Sequence, residues 1–192
     1  MSTSFRNGRI MMTNLGIRSI YEIARQFPIY TRTIVDIENP DRYSWSKENA
    51  YCLEVIAPDK TEENVLAMIT DYLHQNFALK SKIEKRKTKV KILKKITEDV
   101  QLQKAAPDSE SKYWSSGGGV HMFNKPLTTL AGFLEGQLNV PVIDETGLSG
   151  NYDLEFPWYN EDPKRYKEEL KKIGLELVDA EREIDMLVLY EK

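Results

Sequence analysis

One cysteine, Cys52, stands in 192 residues. A lone thiol closes no internal disulfide and makes no Cys-x-x-C pair of the thioredoxin type. Histidine is almost as scarce, with His74 and His121 the only two. No His-Glu-x-x-His, Gly-x-Ser-x-Gly or phosphate-cradling loop appears. Basic excess is missing too: 27 Lys and Arg against 30 Asp and Glu leave a charge of −3. Nucleic-acid binders usually carry a clear positive surplus, so that class is set aside. No apolar run reaches the roughly 20 residues of a membrane-spanning helix. The opening Met1-Ser2-Thr3-Ser4-Phe5-Arg6 lacks the apolar stretch of a signal peptide. The chain is expected either to be cytosolic or to be a segment of a longer exported one. Proline and glycine are modest at 8 and 10, and 41% of residues are hydrophobic. That excludes global disorder and suits one ordinary domain or two small ones.

What the chain does contain is internal similarity. Residues 8–20 align with residues 118–130, matching Met12 to Met122, Asn14 to Asn124, Ile17 to Leu127 and Ile20 to Leu130. Each block reads as a short strand, an Asn, then apolar residues at helical spacing: Ile17, Ile20, Tyr21, Ala24 and Leu127, Leu130, Ala131, Leu134. The Asn is expected to cap the helix, with Pro126 in the opening turn. Tyr51-Cys52-Leu53-Glu54 then matches Tyr152-Asp153-Leu154-Glu155. Helices are expected over Thr61 to Asn76 (Val65, Leu66, Ile69, Leu73) and Pro163 to Ile173 (Tyr166, Leu170, Ile173), with Gly174 as a stop. Extra strands are read at Arg32 to Glu38 and Val140 to Ile143. Each copy is expected to close with two strands, Leu79–Glu84 and Lys89–Ile96, then Leu175–Val178 and Ile184–Tyr190. The expected fold is α+β, two similar β-α-β-β-α-β-β units, each a small sheet packed on two helices. The boundaries are 1–96 for the first repeat, 97–117 for a polar Gly/Ser-containing linker and 118–192 for the second. Gly117-Gly118-Gly119 precedes a strand and is read as a hinge.

The run Pro141-Val142-Ile143-Asp144-Glu145-Thr146-Gly147-Leu148-Ser149-Gly150-Asn151-Tyr152-Asp153-Leu154 resembles the signature of a bacterial family, the soil-associated (Solibacter-type) proteins catalogued as domain of unknown function 3738. Ile173-Gly174-Leu175-Glu176-Leu177 and Asn76-Phe77-Ala78-Leu79-Lys80 resemble further segments of it. The resemblance spans nearly the whole chain. It implies a periplasmic or otherwise extracytoplasmic location; some members follow a thioredoxin-like domain in Bacteroidetes, others a membrane metallopeptidase. It supplies no catalytic residues. The half-unit also resembles the short ring-forming domains at the N-termini of secretins and TonB-dependent receptors.

Four features carry candidate chemistry. Asp144 to Asp153 concentrates oxygen ligands and glycines as calcium loops do, without EF-hand spacing. The alternative is a tight connection in which Gly147 and Gly150 take positive φ, Asp144 and Thr146 satisfy turn amides and Leu148 plugs the core. Cys52 with a histidine would make a nucleophile pair, but nothing brings them together, and Cys52 reads as a small buried strand residue. Lys80 to Lys95 holds nine basic residues against Glu84 alone. Lys89 and Lys91 offer either a patch for an anionic partner or the wet face of a strand pair. The acidic matching region, Glu176 to Asp185, suggests attraction between halves or between copies. Phe156-Pro157-Trp158-Tyr159 is either a set of exposed interface anchors or the cap of a small core.

These readings converge on a non-enzymatic extracytoplasmic binding or assembly module, without cofactor, nucleic acid or membrane span, that takes a protein partner. The candidate interaction residues are Phe156, Trp158, Tyr159, Lys89 and Lys91. The alternative is an accessory domain of a thioredoxin-like or membrane-peptidase protein.

Overall fold

The computed structural model describes residues 2–162 and 164–191. The expected helix start at Pro163, and the outermost residues Met1 and Lys192 of the expected copies, lie outside the described residues. The fold is mixed α+β. Its strands are β1 (Ser2–Arg6), β2 (Arg9–Leu15), β3 (Thr33–Asp36), β4 (Tyr51–Ile56), β5 (Leu79–Lys95), β6 (Gln103–Lys104), β7 (Lys112–Ser116), β8 (Gly119–Lys125), β9 (Val142–Asp144), β10 (Tyr152–Pro157) and β11 (Leu175–Glu191). Its helices are α1 (Ile17–Ala24), α2 (Glu62–Asn76), α3 (Leu127–Leu138) and α4 (Tyr166–Lys172). Three sheets form, ordered β1-β2-β4, β6-β10-β8-β7 and β3-β11-β5-β9. The chain divides into two compact units, residues 1–86 with 183–192, and residues 87–182.

In the first unit, Asn7-Gly8 turns β1 into β2 with both φ values positive, 51° and 73°. Two positive φ angles make the mirror-image turn whose twist suits a hairpin, and Asn-Gly is its usual sequence. Gly8 has a second reason to be glycine: a Cβ there would lie 2.1 Å from Lys60 Cα. Strand β2 pairs antiparallel with β4, Met12 opposite Leu53 and Leu15 opposite Tyr51, so the register shifts between them. Asn14 sits in that irregularity at φ 58°. It does not cap α1; Gly16 holds the cap position with no side-chain bond. The residue is Asn because a short polar side chain enters the left-handed region most cheaply among non-glycines. Its Oδ1 accepts the Trp45 indole N–H at 3.0 Å.

Helix α1 buries Ile17, Ile20, Tyr21 and Ala24, as its spacing predicts. Helix α2 begins where Thr61 Oγ1 accepts the Asn64 N–H, with Glu62 and Glu63 at the positive end of the helix dipole. Val65, Leu66, Ile69 and Leu73 join Ile10, Met12, Leu15 and Leu79 in one core. Strand β3 is parallel to the end of β11, Thr33 opposite Leu187 and Asp36 opposite Tyr190. Leu187 and Leu189, fully buried, complete this core.

In the second unit, Gly117-Gly118 joins β7 to β8, Ser116 opposite Gly119. The expected hinge is thus a hairpin turn. Strand β8 pairs with β10, Met122 opposite Leu154 and Lys125 opposite Tyr152, again with a register shift. Asn124, at φ 50°, lies beside it and does not cap α3, whose cap position is Pro126. Strand β9 is parallel to β5, Lys91 opposite Val142. The core gathers Leu127, Leu130, Leu134, Leu154, Phe156, Trp158, Leu170 and Leu175. Gly174, at φ 80°, ends α4 as expected.

Two expectations about strands need correction. Each copy was expected to close with a pair of strands, yet β5 and β11 are single strands of 17 residues each. Lys85-Arg86-Lys87-Thr88 and Asp179-Ala180-Glu181-Arg182-Glu183 are polar but contain no Gly, Pro or Asn to reverse the chain. The polar stretch 97–117 contains β6 and β7, and its Val100 and Leu102 pack on the second core.

Asn14→Ala is expected to cost about 1–2 kcal/mol from left-handed strain, and Asn14→Gly distinctly less. Urea unfolding of both variants checks this; equal losses would mean that the Trp45 bond, not the backbone, fixes the residue.

Candidate interaction surface

The structure separates the five residues singled out by sequence. Phe156 and Trp158 are core residues, because Leu154, Phe156 and Trp158 alternate onto the inward face of β10 and its continuation. Trp158 meets Phe133 edge-on with ring centroids 6.0 Å apart, and stacks on Tyr166. Its indole N–H donates to Asn160 Oδ1 at 3.2 Å. Tyr159 is half-buried under the Arg165 guanidinium, 4.0 Å from the ring centroid. Lys89 is exposed on β5. Lys91 Nζ lies 2.7 Å from Asp179. Four residues of the basic run pair with acids of β11, and Lys82 and Arg86 pair with Glu84. In the first unit Lys85 pairs with Asp185. In the second, Lys87 pairs with Glu181 and Lys94 with Glu176. Lys91 and the Arg182 guanidinium hold the carboxyls of Asp179 and Glu145 below the ordinary carboxylate range.

Asp144 Oδ1 accepts the N–H and hydroxyl of Thr146 at 3.0 and 2.7 Å. Thr146 Oγ1 accepts Leu148 N–H, and Gly147 and Gly150 have φ 68° and 94°. The loop therefore has the geometry of the tight connection. Among the described residues no group of three or more His, Cys, Asp or Glu is placed to hold a metal ion. Buried Glu22 accepts Arg18 Nε at 3.0 Å and the Tyr30 N–H at 3.1 Å. Buried Glu135 accepts the Val142 N–H at 3.0 Å. In each unit a glutamate on the first helix thus holds the connection that leads to the parallel strand.

The histidines lie in different settings. His74 Nε2 accepts the Ser81 N–H at 3.0 Å, and since an amide only donates, Nε2 is the unprotonated nitrogen. Burial, then the charges of Lys80 and Arg25, hold its pKa below the ordinary imidazole value. His121 stacks on Trp114 with centroids 4.7 Å apart, and its Nδ1 is 3.4 Å from Glu155 without hydrogen-bond alignment. Cys52 is exposed, contrary to the expectation of a core residue. Leu53 and Val55 pack on the core, so Cys52 and Glu54 share the opposite face.

What the structure does offer is strand edge and apolar surface. In the first unit β1 and β4 are the two edges of their sheet; in the second, β7 is one edge and the two-residue β6 the other. Every residue of β1 and β7 is exposed. Trp114 stands out from β7 at 47% exposure, stacked along His121 and Phe123. Beside β4, Ile17, Ile20, Leu53, Tyr72, Leu73 and Phe77 line a recess of about 120 Å³ that Tyr51 and Cys52 complete. On the outer face of the same sheet Arg6, Arg9, Met11 and Ile56 line a shallower groove of about 530 Å³. Sequence reasoning missed this surface. A signal existed in α2: Met68 and Tyr72, four apart, lie outside the core stripe and are exposed.

The described residues thus form a mixed α+β protein with exposed strand edges on β1 and β7 and an apolar recess beside β4. Residues 23–190 match the family described as protein of unknown function DUF3738, and the chain belongs to that family. No curated protein and no solved structure matches the chain. Among the described residues no helix is long and apolar enough to cross a membrane.

The depressed folded-state pKa of His74 gives a signed expectation. The stability it contributes is fully present above the ordinary imidazole pKa and is lost as pH falls below that value through the lower folded-state pKa. Melting scans between about pH 7 and pH 5 should show a decline that His74→Gln partly removes; parallel curves would contradict it.

Proposed function

We propose that the protein is a non-enzymatic binding or assembly module acting outside the cytoplasm on a protein partner, and that the stretches from β1 to β5 and from β7 to β11 are copies of one β-β-α-β-β-α-β pattern. Support for the duplication comes from the ladders. Arg9, Ile10, Met11 and Met12 face Ile56, Val55, Glu54 and Leu53; Gly119, Val120, His121 and Met122 face Pro157, Phe156, Glu155 and Leu154. The hairpins before them share a two-residue turn, Arg6 opposite Arg9 and Ser116 opposite Gly119. Even the closing bonds correspond: Ala57 N–H donates to Gly8 O and Trp158 N–H to Gly118 O, both at 2.9 Å. The register shift beside both asparagines supports the same reading. The Asp144 to Asp153 run favours the soil-associated, Solibacter-type branch, and the extracytoplasmic site rests on that resemblance.

The observation that carries the binding reading is the open edges. An unpaired strand presents a row of free N–H and C=O groups, and natural sheets usually blunt such edges with charge, proline or cover. Strand β7 sets Tyr113 and Trp114 there beside a single charge, Lys112. Added strands gain affinity from main-chain bonds and specificity from alternate side chains.

The test is retention on the immobilised intact chain, comparing envelope with cytosolic extract. A defined envelope protein should be held, and Trp114→Ser on β7 or Ile56→Asp on β4 should lower its retention at least tenfold while melting stays unchanged. Retention no greater than on an unrelated acidic protein, or only of cytosolic proteins, would contradict the reading.

A further inference from the structure

The two units differ at one corresponding place. In the second, the outer edge of β10 is covered by the chain's own segment. Gln103 pairs with Asp153 and Lys104 with Tyr152, antiparallel. Ala105 N–H donates to Asn151 O at 3.0 Å and Gln101 N–H to Ile173 O at 3.2 Å. The side chains of Val100 and Leu102, two residues apart, pack on the core beneath. The segment is thus a short strand with an apolar-x-apolar face, clipped along β10 and the end of α4.

In the first unit the strand matching β10 is β4, with Tyr51 in the place of Tyr152 and Cys52 in that of Asp153. Strand β4 ends its sheet. The α2 exit matching Ile173 is Phe77, whose carbonyl accepts from the flexible Lys80 ammonium, 2.9 Å away. Beside it lies the apolar recess of about 120 Å³, with Tyr72 49% exposed at its rim. The cover that the second unit draws from its own chain has no counterpart over the first among the described residues.

We propose that the outer edge of β4 is the partner site, and that its occupant is an extended segment of another protein carrying two aliphatic side chains two residues apart, as in Val100-Gln101-Leu102. The segment adds antiparallel to β4 through main-chain bonds and places an aliphatic side chain in the recess between α1, α2 and β4. Cys52 and Tyr72 flank it. This assignment rests on the duplication proposed above, since the correspondence of β4 with β10 identifies both the edge and the chemistry of what covers it.

The probe is a capped synthetic peptide spanning residues 98–106, added to the intact protein. Cys52 is the chain's one thiol, so its alkylation rate reports occupancy of β4. Saturable binding is expected with Kd on the order of 10–100 μM. Saturating peptide should slow Cys52 alkylation at least fivefold. A peptide with Leu102→Asp should leave the rate unchanged, and Tyr72→Asp in the protein should weaken binding about tenfold. No saturable binding up to about 1 mM would overturn the assignment. Binding that leaves Cys52 equally reactive would also overturn it, because the peptide would then have exchanged at β10. Loss of Cys52 reactivity with protein concentration alone would make a second copy the occupant and overturn it as well. Failure here with continued retention of an envelope protein leaves the binding reading intact; failure of both removes it.

Discussion

The rest of the first unit depends on a parallel pairing between two short stretches far apart in sequence, Thr33–Asp36 and Leu187–Tyr190. Parallel neighbours cannot be joined by a tight turn, so their partnership always closes a long loop. Here the return is useful because Leu187 and Leu189 are fully buried among Ile10, Met12, Ile69 and Leu79. Each buried leucine contributes roughly 2–3 kcal/mol of transfer free energy. The core of the first unit is therefore incomplete until nearly the last residues of the chain arrive. The second unit has its own parallel pair, β9 with β5, and Leu93 of β5 lies in that core.

That arrangement governs which edges remain open. In the first unit β3 is matched by β11, while β4 ends its three-stranded sheet. In the second, residues 99–105 lie against β10 and the end of α4 before the chain turns into β7. The open places carry Trp114 on β7 and the recess beside β4, whereas charged groups are taken up in pairs or turns.

Much of this was legible in sequence, for reasons tied to particular residues. The stripes of α1, α2 and α3 were readable because each helix buries one face at a 3.6-residue period. Gly174 marks a helix end by its positive φ and Thr61 a helix start by its side-chain oxygen. Asn14 and Asn124 stand out in sequence without disclosing their role, because a left-handed residue at a bulge and a capping residue are the same amino acid in one dimension. Asn7-Gly8, the strongest hairpin signal in the chain, was passed over, and with it β1. The alternation of Leu154, Phe156 and Trp158 could have identified them as inward-facing, and Glu54 could have placed Cys52 outward. The length of β5 and β11 was not legible. Their polar middles look like turns, and the pairing of β11 with β5 in one sheet is a long-range contact that one dimension does not display.

The most direct measurement is hydrogen exchange on the intact protein and on Leu189→Ala, a core truncation expected to cost about 2–5 kcal/mol. The account predicts faster exchange in Thr33–Asp36, Ile17–Ala24 and Arg9–Leu15, with Leu154 and Phe156 in the second unit still protected. Unchanged protection around β3, or equal loss in both units, would contradict the claim that the final strand closes the first core.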